Sequence, residues 1–193
     1  MKRITVFCGS SAGKNDKYRE QAFQLGKVLA QENIGVVYGG AKIGLMGAVA
    51  DGALSEGGEV IGVIPDFLQT KEVAHNELTE MIVVSSMHER KLKMHDLADG
   101  FIALPGGFGT MEELFEILTW GQLGLHKKPV GLLNMENFYQ PLLDMLSQMT
   151  EQDFLKDINR NMLLNDDNIE SLLTKMEQYQ APETPKWLLE SET

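Results

Sequence analysis

Short, continuous apolar runs, each closed by glycine, proline or serine and then followed by a helical pattern, recur along this chain and leave it little choice of architecture. The runs are residues 3–8, 34–38, 59–64, 81–84, 101–104 and 129–133. They do not alternate apolar with polar residues as a half-wet sheet requires, so both faces of each strand must be covered. Segments 16–32, 44–55, 87–97, a stretch ending near 123, and 138–150 carry apolar or small residues at helical spacing. Strands alternating with helices in this way predict a three-layer α/β fold: a parallel sheet of about six or seven strands with helices on both faces. A possible edge strand at 162–164 sits between two short helical pieces within 154–180.

A chain of 193 residues fits one domain, taken here as 1–180, with prolines and acids from 181 to 193 reading as a tail. Residues 66–80 are polar and read as a long loop, a length more often functional than decorative. The acidic balance, a formal charge of −11, argues against a nucleic-acid partner or an anionic membrane surface. No apolar run reaches the roughly 20 residues of a membrane span. The single cysteine rules out an internal disulfide framework, and the N-terminus runs straight into the first strand without a signal-peptide pattern, so a cytoplasmic location is expected.

In a parallel sheet, ligands bind outside the carboxyl ends of the strands. Gly9, Gly39-Gly40, Pro65, Arg90 and Pro105-Gly106-Gly107 all fall at or near those ends. The densest such turn is Pro105-Gly106-Gly107-Phe108-Gly109-Thr110-Met111-Glu112-Glu113, between the run 101–104 and a helix. Three glycines permit positive φ and close approach of a ligand, and a helix start offers free N–H groups to an anion such as phosphate. Glu113 would lie beside that anion, suited to acid–base chemistry. A purely structural reading competes: Thr110-x-x-Glu113 has the form of a capping box.

Arg90 and Lys91 sit near the start of a helix, where the macrodipole gives a cation no benefit, and so suit phosphate or carboxylate recognition. His88 and His95 are two turns apart, roughly 10 Å, too far to share a metal. Cys8 reads as a buried thiol without a catalytic role, while Ser10 and Ser11 either meet a ligand or satisfy a turn. Gly9 to Gly13 has one residue too few for a Walker A loop. Gly44, Gly47, Ala48 and Ala53 form a small-residue face that lets a helix approach its neighbour closely.

Met87-His88-Glu89-Arg90-Lys91 followed by the 105–113 motif resembles the paired signature of the LONELY GUY family, cytokinin riboside 5′-monophosphate phosphoribohydrolases. The likeness extends over nearly the whole chain, through Val6-Phe7-Cys8-Gly9-Ser10-Ser11, Tyr38-Gly39-Gly40, Gly44-Leu45-Met46-Gly47, Gly62-Val63-Ile64-Pro65 and Ile117-Leu118-Thr119-Trp120. Members were often labelled lysine decarboxylases, yet this sequence holds no pyridoxal-phosphate lysine motif. The resemblance implies a Rossmann-like homodimer that hydrolyses the N-glycosidic bond of purine nucleoside 5′-monophosphates, AMP or N6-modified, with no cofactor and no metal. It makes Arg90 and Glu113 the catalytic pair. It also makes Glu72, Arg90, Lys91, Gly106, Gly107, Phe108, Gly109, Thr110, Met111, Glu112, Glu113 and Thr119 substrate-binding positions. Residues 69–80 depart from the plant members. The small-residue helix at 44–55 and the Met-rich segments are compatible with the dimer. The residues alone leave two alternatives: a nucleotide-binding module without turnover, or another transferase or hydrolase of phosphoribosyl compounds.

Overall fold

Strands buried on both faces need apolar side chains pointing both ways, and the first strand shows how this chain meets the demand. In β1 (Arg3–Phe7), Ile4 and Val6 point to one side and Thr5 and Phe7 to the other, all buried. The computed structural model describes residues 1–69, 75 and 77–183. After β1 come α1 (Asp16–Gln31), β2 (Gly35–Tyr38), α2 (Gly44–Ser55), β3 (Val60–Pro65), α3 (Asp66–Gln69), β4 (Glu80–Val84), α4 (Met87–Leu97), β5 (Gly100–Ala103) and α5 (Phe108–Gln122). Then follow β6 (Val130–Leu133), α6 (Gln140–Glu151), α7 (Asp157–Arg160), β7 (Leu163–Asp166) and α8 (Ile169–Glu177).

All seven strands pair in parallel, in the order β4-β3-β2-β1-β5-β6-β7. This is the expected Rossmann-like three-layer sheet, with 162–164 realised as edge strand β7. One core packs α1, α2 and α8 on one face, and the other packs α4, α5 and α6 on the opposite face. Each fully buried aliphatic side chain contributes roughly 1.5–3 kcal/mol, so these two clusters carry the fold.

The strand order reverses direction between β1 and β5. At such a switch point the loops leaving neighbouring strands diverge and open a crevice. Gly9 and Pro105 border it, with the Gly9 N–H donating to the Pro105 carbonyl at 3.0 Å.

The close approach of α1 and α2 comes from glycines other than those the small-residue face suggested. A Cβ on Gly52 would stand 2.0 Å from the Phe23 carbonyl oxygen, and one on Gly26 would stand 2.1 Å from that of Val49. Gly47 instead presses against the chain's own Lys42 carbonyl, and Gly44 is a positive-φ turn residue facing Ser10. Because α2 is buried against α1, its small-residue face is not free to receive a second copy of the chain.

Two boundaries differ from the sequence reading, and a third lies largely outside the described residues. The loop expected at 66–80 begins with α3, while 70–74 and 76 lie outside the described residues. The helix expected from 138 starts at Gln140 after a 3-10 turn, Met135–Asn137, leaving Tyr139 as its N-cap with a buried hydroxyl that donates to the Leu104 carbonyl. The tail expected from 181 lies, from 184 onward, outside the described residues.

Candidate active site

Helix α4 starts on a cap that the sequence reading had looked for elsewhere. Ser86 Oγ accepts from the Glu89 N–H at 3.2 Å, while Glu89 Oε2 accepts from the N–H and hydroxyl of Ser85, each at 2.7 Å. With its first turn fixed in this way, α4 directs Arg90 inward. The residue is 9% exposed, and its Nε donates to the Val63 carbonyl at 3.1 Å. Gly39, at the end of β2, makes the room: a Cβ there would stand 2.2 Å from Arg90 Nη2.

Helix α5 supplies the opposite wall. Its N-cap is Gly107, with no side-chain cap bond. The capping box expected at Thr110 and Glu113 is therefore absent, because the helix begins two residues before Thr110 and both side chains fall inside it. Thr110 is buried, and a Cβ on Gly106 would stand 2.1 Å from its Oγ1, so Gly106 serves the local packing. Gly107 and Gly109 are different. A Cβ at either would meet no atom within 4 Å. None of the three has the positive φ expected of them, and what distinguishes Gly107 and Gly109 is the open space beside their backbone. An uncapped helix start facing open space is suited to an anion, through free N–H groups and the positive end of the macrodipole.

Glu113 lies one turn further on, 9% exposed, with Oε1 3.8 Å from Arg90 Nη1. Burial pushes its carboxyl up to about 7, overcoming the opposing pull of Arg90; Glu112 and Glu116 add to the rise and Lys91 works against it. A carboxyl poised between protonation states near neutral pH, next to a fixed cation and an anion cradle, is suited to proton transfer or to stabilising developing positive charge.

These groups line a cavity of about 280 Å³ whose remaining wall includes Cys8, Gly9, Ser10, Met46 and Met94. Burial raises the Cys8 thiol pKa well above the ordinary value, which keeps it protonated and agrees with its reading as inert. A second cavity of about 290 Å³ adjoins across Gly9, Ser10 and Gly107, walled by Tyr18, Leu45 and Phe138. A larger cleft, about 460 Å³, lies at the other end of α5 by Leu123, Phe154 and Ile158, but it holds no buried acid or base. The chemistry favours the smaller cavity.

Of the residues named from sequence, the structure brings together Arg90, Gly107, Phe108, Gly109, Thr110 and Glu113. Lys91 is engaged elsewhere, its Nζ bonded to Glu112 at 2.6 Å and Glu116 at 2.8 Å, which ties α4 to α5. Met111 packs against the core on the α4–α5 side. Thr119 lies eleven residues along α5 from Phe108, about 16 Å away, with its hydroxyl donating to the Phe115 carbonyl at 2.7 Å. Glu72 lies outside the described residues. The sequence reading missed Met46 and Met94 as wall residues, for their apolar side chains carry no chemical signal of their own.

Residues 46–176 match the family model described as possible lysine decarboxylase. The chain is 45% identical to cytokinin riboside 5′-monophosphate phosphoribohydrolase LOG7 of Arabidopsis thaliana, over 93% of this chain and 82% of that one. It is 46% identical to the corresponding LOG enzyme of Oryza sativa subsp. japonica, over 92% of this chain and 74% of that one. The X-ray structure of the protein TM1055 superposes with a TM-score of 0.71 at 25% identity, covering 93% of this chain and all of the other. With relatives at this level of identity over nearly its whole length, the chain belongs to the LOG family of cytokinin riboside 5′-monophosphate phosphoribohydrolases.

Proposed function

We propose that this protein hydrolyses the N-glycosidic bond of purine nucleoside 5′-monophosphates, AMP or its N6-modified cytokinin-type forms, releasing free base and ribose 5-phosphate. The observation that carries this reading is Glu113: a buried carboxyl near neutral pKa, facing Arg90 and one turn from an uncapped helix start. The 5′-phosphate would sit at the α5 N-terminus, over the open backbone of Gly107 and Gly109. That placement puts the ribose against Glu113. As the C1′–N9 bond breaks, its electron pair leaves with the base and positive charge grows on the ribose. Ionised Glu113 stabilises that charge and takes a proton from the water attacking C1′; that proton then passes to the departing base anion, so the water supplies the hydroxyl of ribose 5-phosphate and the proton of the free base. Arg90, fixed by Val63, holds its charge toward the substrate.

Lys91 acts through the helix, since its bonds to Glu112 and Glu116 hold α5 at a set distance from α4. Glu72, Met111 and Thr119 complete the assignment by resemblance. A homodimer is proposed from the resemblance, and exposed Leu92 on α4 and Phe115 on α5 are apolar side chains that a second copy could cover. Sedimentation at two concentrations tests the dimer. A cytoplasmic location is proposed as well, and fractionation of cells making the protein tests it.

The activity is tested by incubating metal-free protein with AMP and isopentenyl-AMP and following base and ribose 5-phosphate by chromatography. Release of both products, abolished in Glu113→Gln, supports the assignment. Absence of release from either nucleotide refutes it.

A further inference from the structure

Between α3 and β4, His75 sits in the interior. This imidazole is wholly buried and uses every polar atom available to it. Its backbone N–H donates to the Gly40 carbonyl at 3.1 Å, and its Nδ1 accepts from the Glu77 N–H at 3.2 Å. With Nδ1 accepting, the proton resides on Nε2, which donates to Asp51 Oδ1 on α2 at 2.9 Å.

Gly40 is one residue from the backbone that seats Arg90. Its φ of +82° makes the turn, and its other side rests on Ile64 and Met81. Gly39 then presses on the Arg90 guanidinium, whose Nε is anchored on the Val63 carbonyl and whose Nη1 lies near Met87 Sδ and Glu113 Oε1. The turn therefore has one face against β3 and β4 and the other against His75.

We propose that His75 is a positioning residue for the hydrolysis: bonded to Asp51 and to the Gly40 carbonyl, it holds the Gly39–Gly40 turn so that Arg90 stays opposite Glu113. The proposal rests on the catalytic reading of that pair. No part of it requires His75 to touch substrate. A merely structural role would lower the melting temperature and leave the Arg90–Glu113 relation intact.

The test reads Glu113 directly. Its carboxyl carbon is titrated by NMR in glutamate-labelled protein, assigned by its loss in Glu113→Gln, and kcat and KM for AMP are measured on the same samples. The charges facing Glu113 are Arg90 and Lys91 from α4 and Glu112 and Glu116 from α5, with the Cys8 thiol just after β1 beside it. Only the position of Arg90 should change. His75→Ala is expected to raise the Glu113 midpoint by about half a pH unit, because Arg90 no longer offsets burial as strongly. It should also lower kcat about tenfold while KM moves less than about threefold. His75→Gln, whose amide can still donate to Asp51, should restore most of both.

If His75→Ala does not fold, Asp51→Ala is read the same way and should shift both quantities in the same direction by less. A folded variant with an unmoved Glu113 midpoint, or an unchanged kcat, overturns the proposal. A midpoint that moves in a protein whose wild type releases no base leaves His75 holding Arg90 and refutes the catalytic reading instead.

Discussion

Glycine does opposite work in two parts of this molecule. Where α1 meets α2, Gly26 and Gly52 are packed so tightly that a single methyl group would overlap a backbone carbonyl. At the start of α5, Gly107 and Gly109 face nothing. The first pair maximises contact within the chain and stabilises it. The second leaves backbone uncovered beside Glu113, a buried carboxyl whose ionisation the fold resists. Filled space marks the scaffold and kept space marks the site.

The comparison can be broken at four places. Gly52→Ala should cost about 3 kcal/mol or more in urea unfolding, because the obstacle is backbone and cannot rotate aside. Glu113→Gln should have the opposite sign. The folded carboxyl titrates at about 7 against an ordinary 4.5, so wild-type protein binds the extra proton when folded and loses stability as pH rises between those values. The glutamine variant escapes that loss, and its advantage in thermal melts should grow from pH 5 to pH 8 by about 2–3 kcal/mol. Gly39→Ala should fold with a cost near 1 kcal/mol, since its obstacles are the ends of the Arg90 and Met46 side chains, yet lower kcat about 10- to 100-fold by moving Arg90. Gly107→Ala should cost less than about 1 kcal/mol of stability and raise KM for AMP about tenfold. Equal stability losses in Gly52→Ala and Gly107→Ala would erase the distinction.

The inner strands were readable because burial on both faces leaves continuous apolar runs, a signal that needs no knowledge of neighbours; β4 carries such a run too, yet as an edge strand it has only Val84 fully buried, so the expectation that both faces of every strand are covered fails there. β7 was legible only as a possibility: of its four residues Leu163 alone is fully buried. Caps were harder to place. Ser86-x-x-Glu89 and Thr110-x-x-Glu113 have the same form, and what separates them is where each helix begins. The turn before α5 ends at Gly107, which moves Thr110 and Glu113 into the helix and frees the glutamate for the cavity.

Charge was legible in part. Two cations early in α4 did signal an anion, and for Arg90 that anion is Glu113 and the open site beside it. For Lys91 it is the chain's own Glu112 and Glu116, brought near by the packing of α4 on α5. The contacts of His75 with Asp51 and Gly40 had no signal at all, since only the placement of β2 beside β3 brings those three together.

The most direct test of the account is the pH dependence of kcat/KM for AMP. If ionised Glu113 is the working group, the rate rises with pH through a midpoint of about 7 and the rise vanishes with the activity in Glu113→Gln. A midpoint at the ordinary carboxylate value, or a profile that Glu113→Gln leaves unaltered, would contradict it.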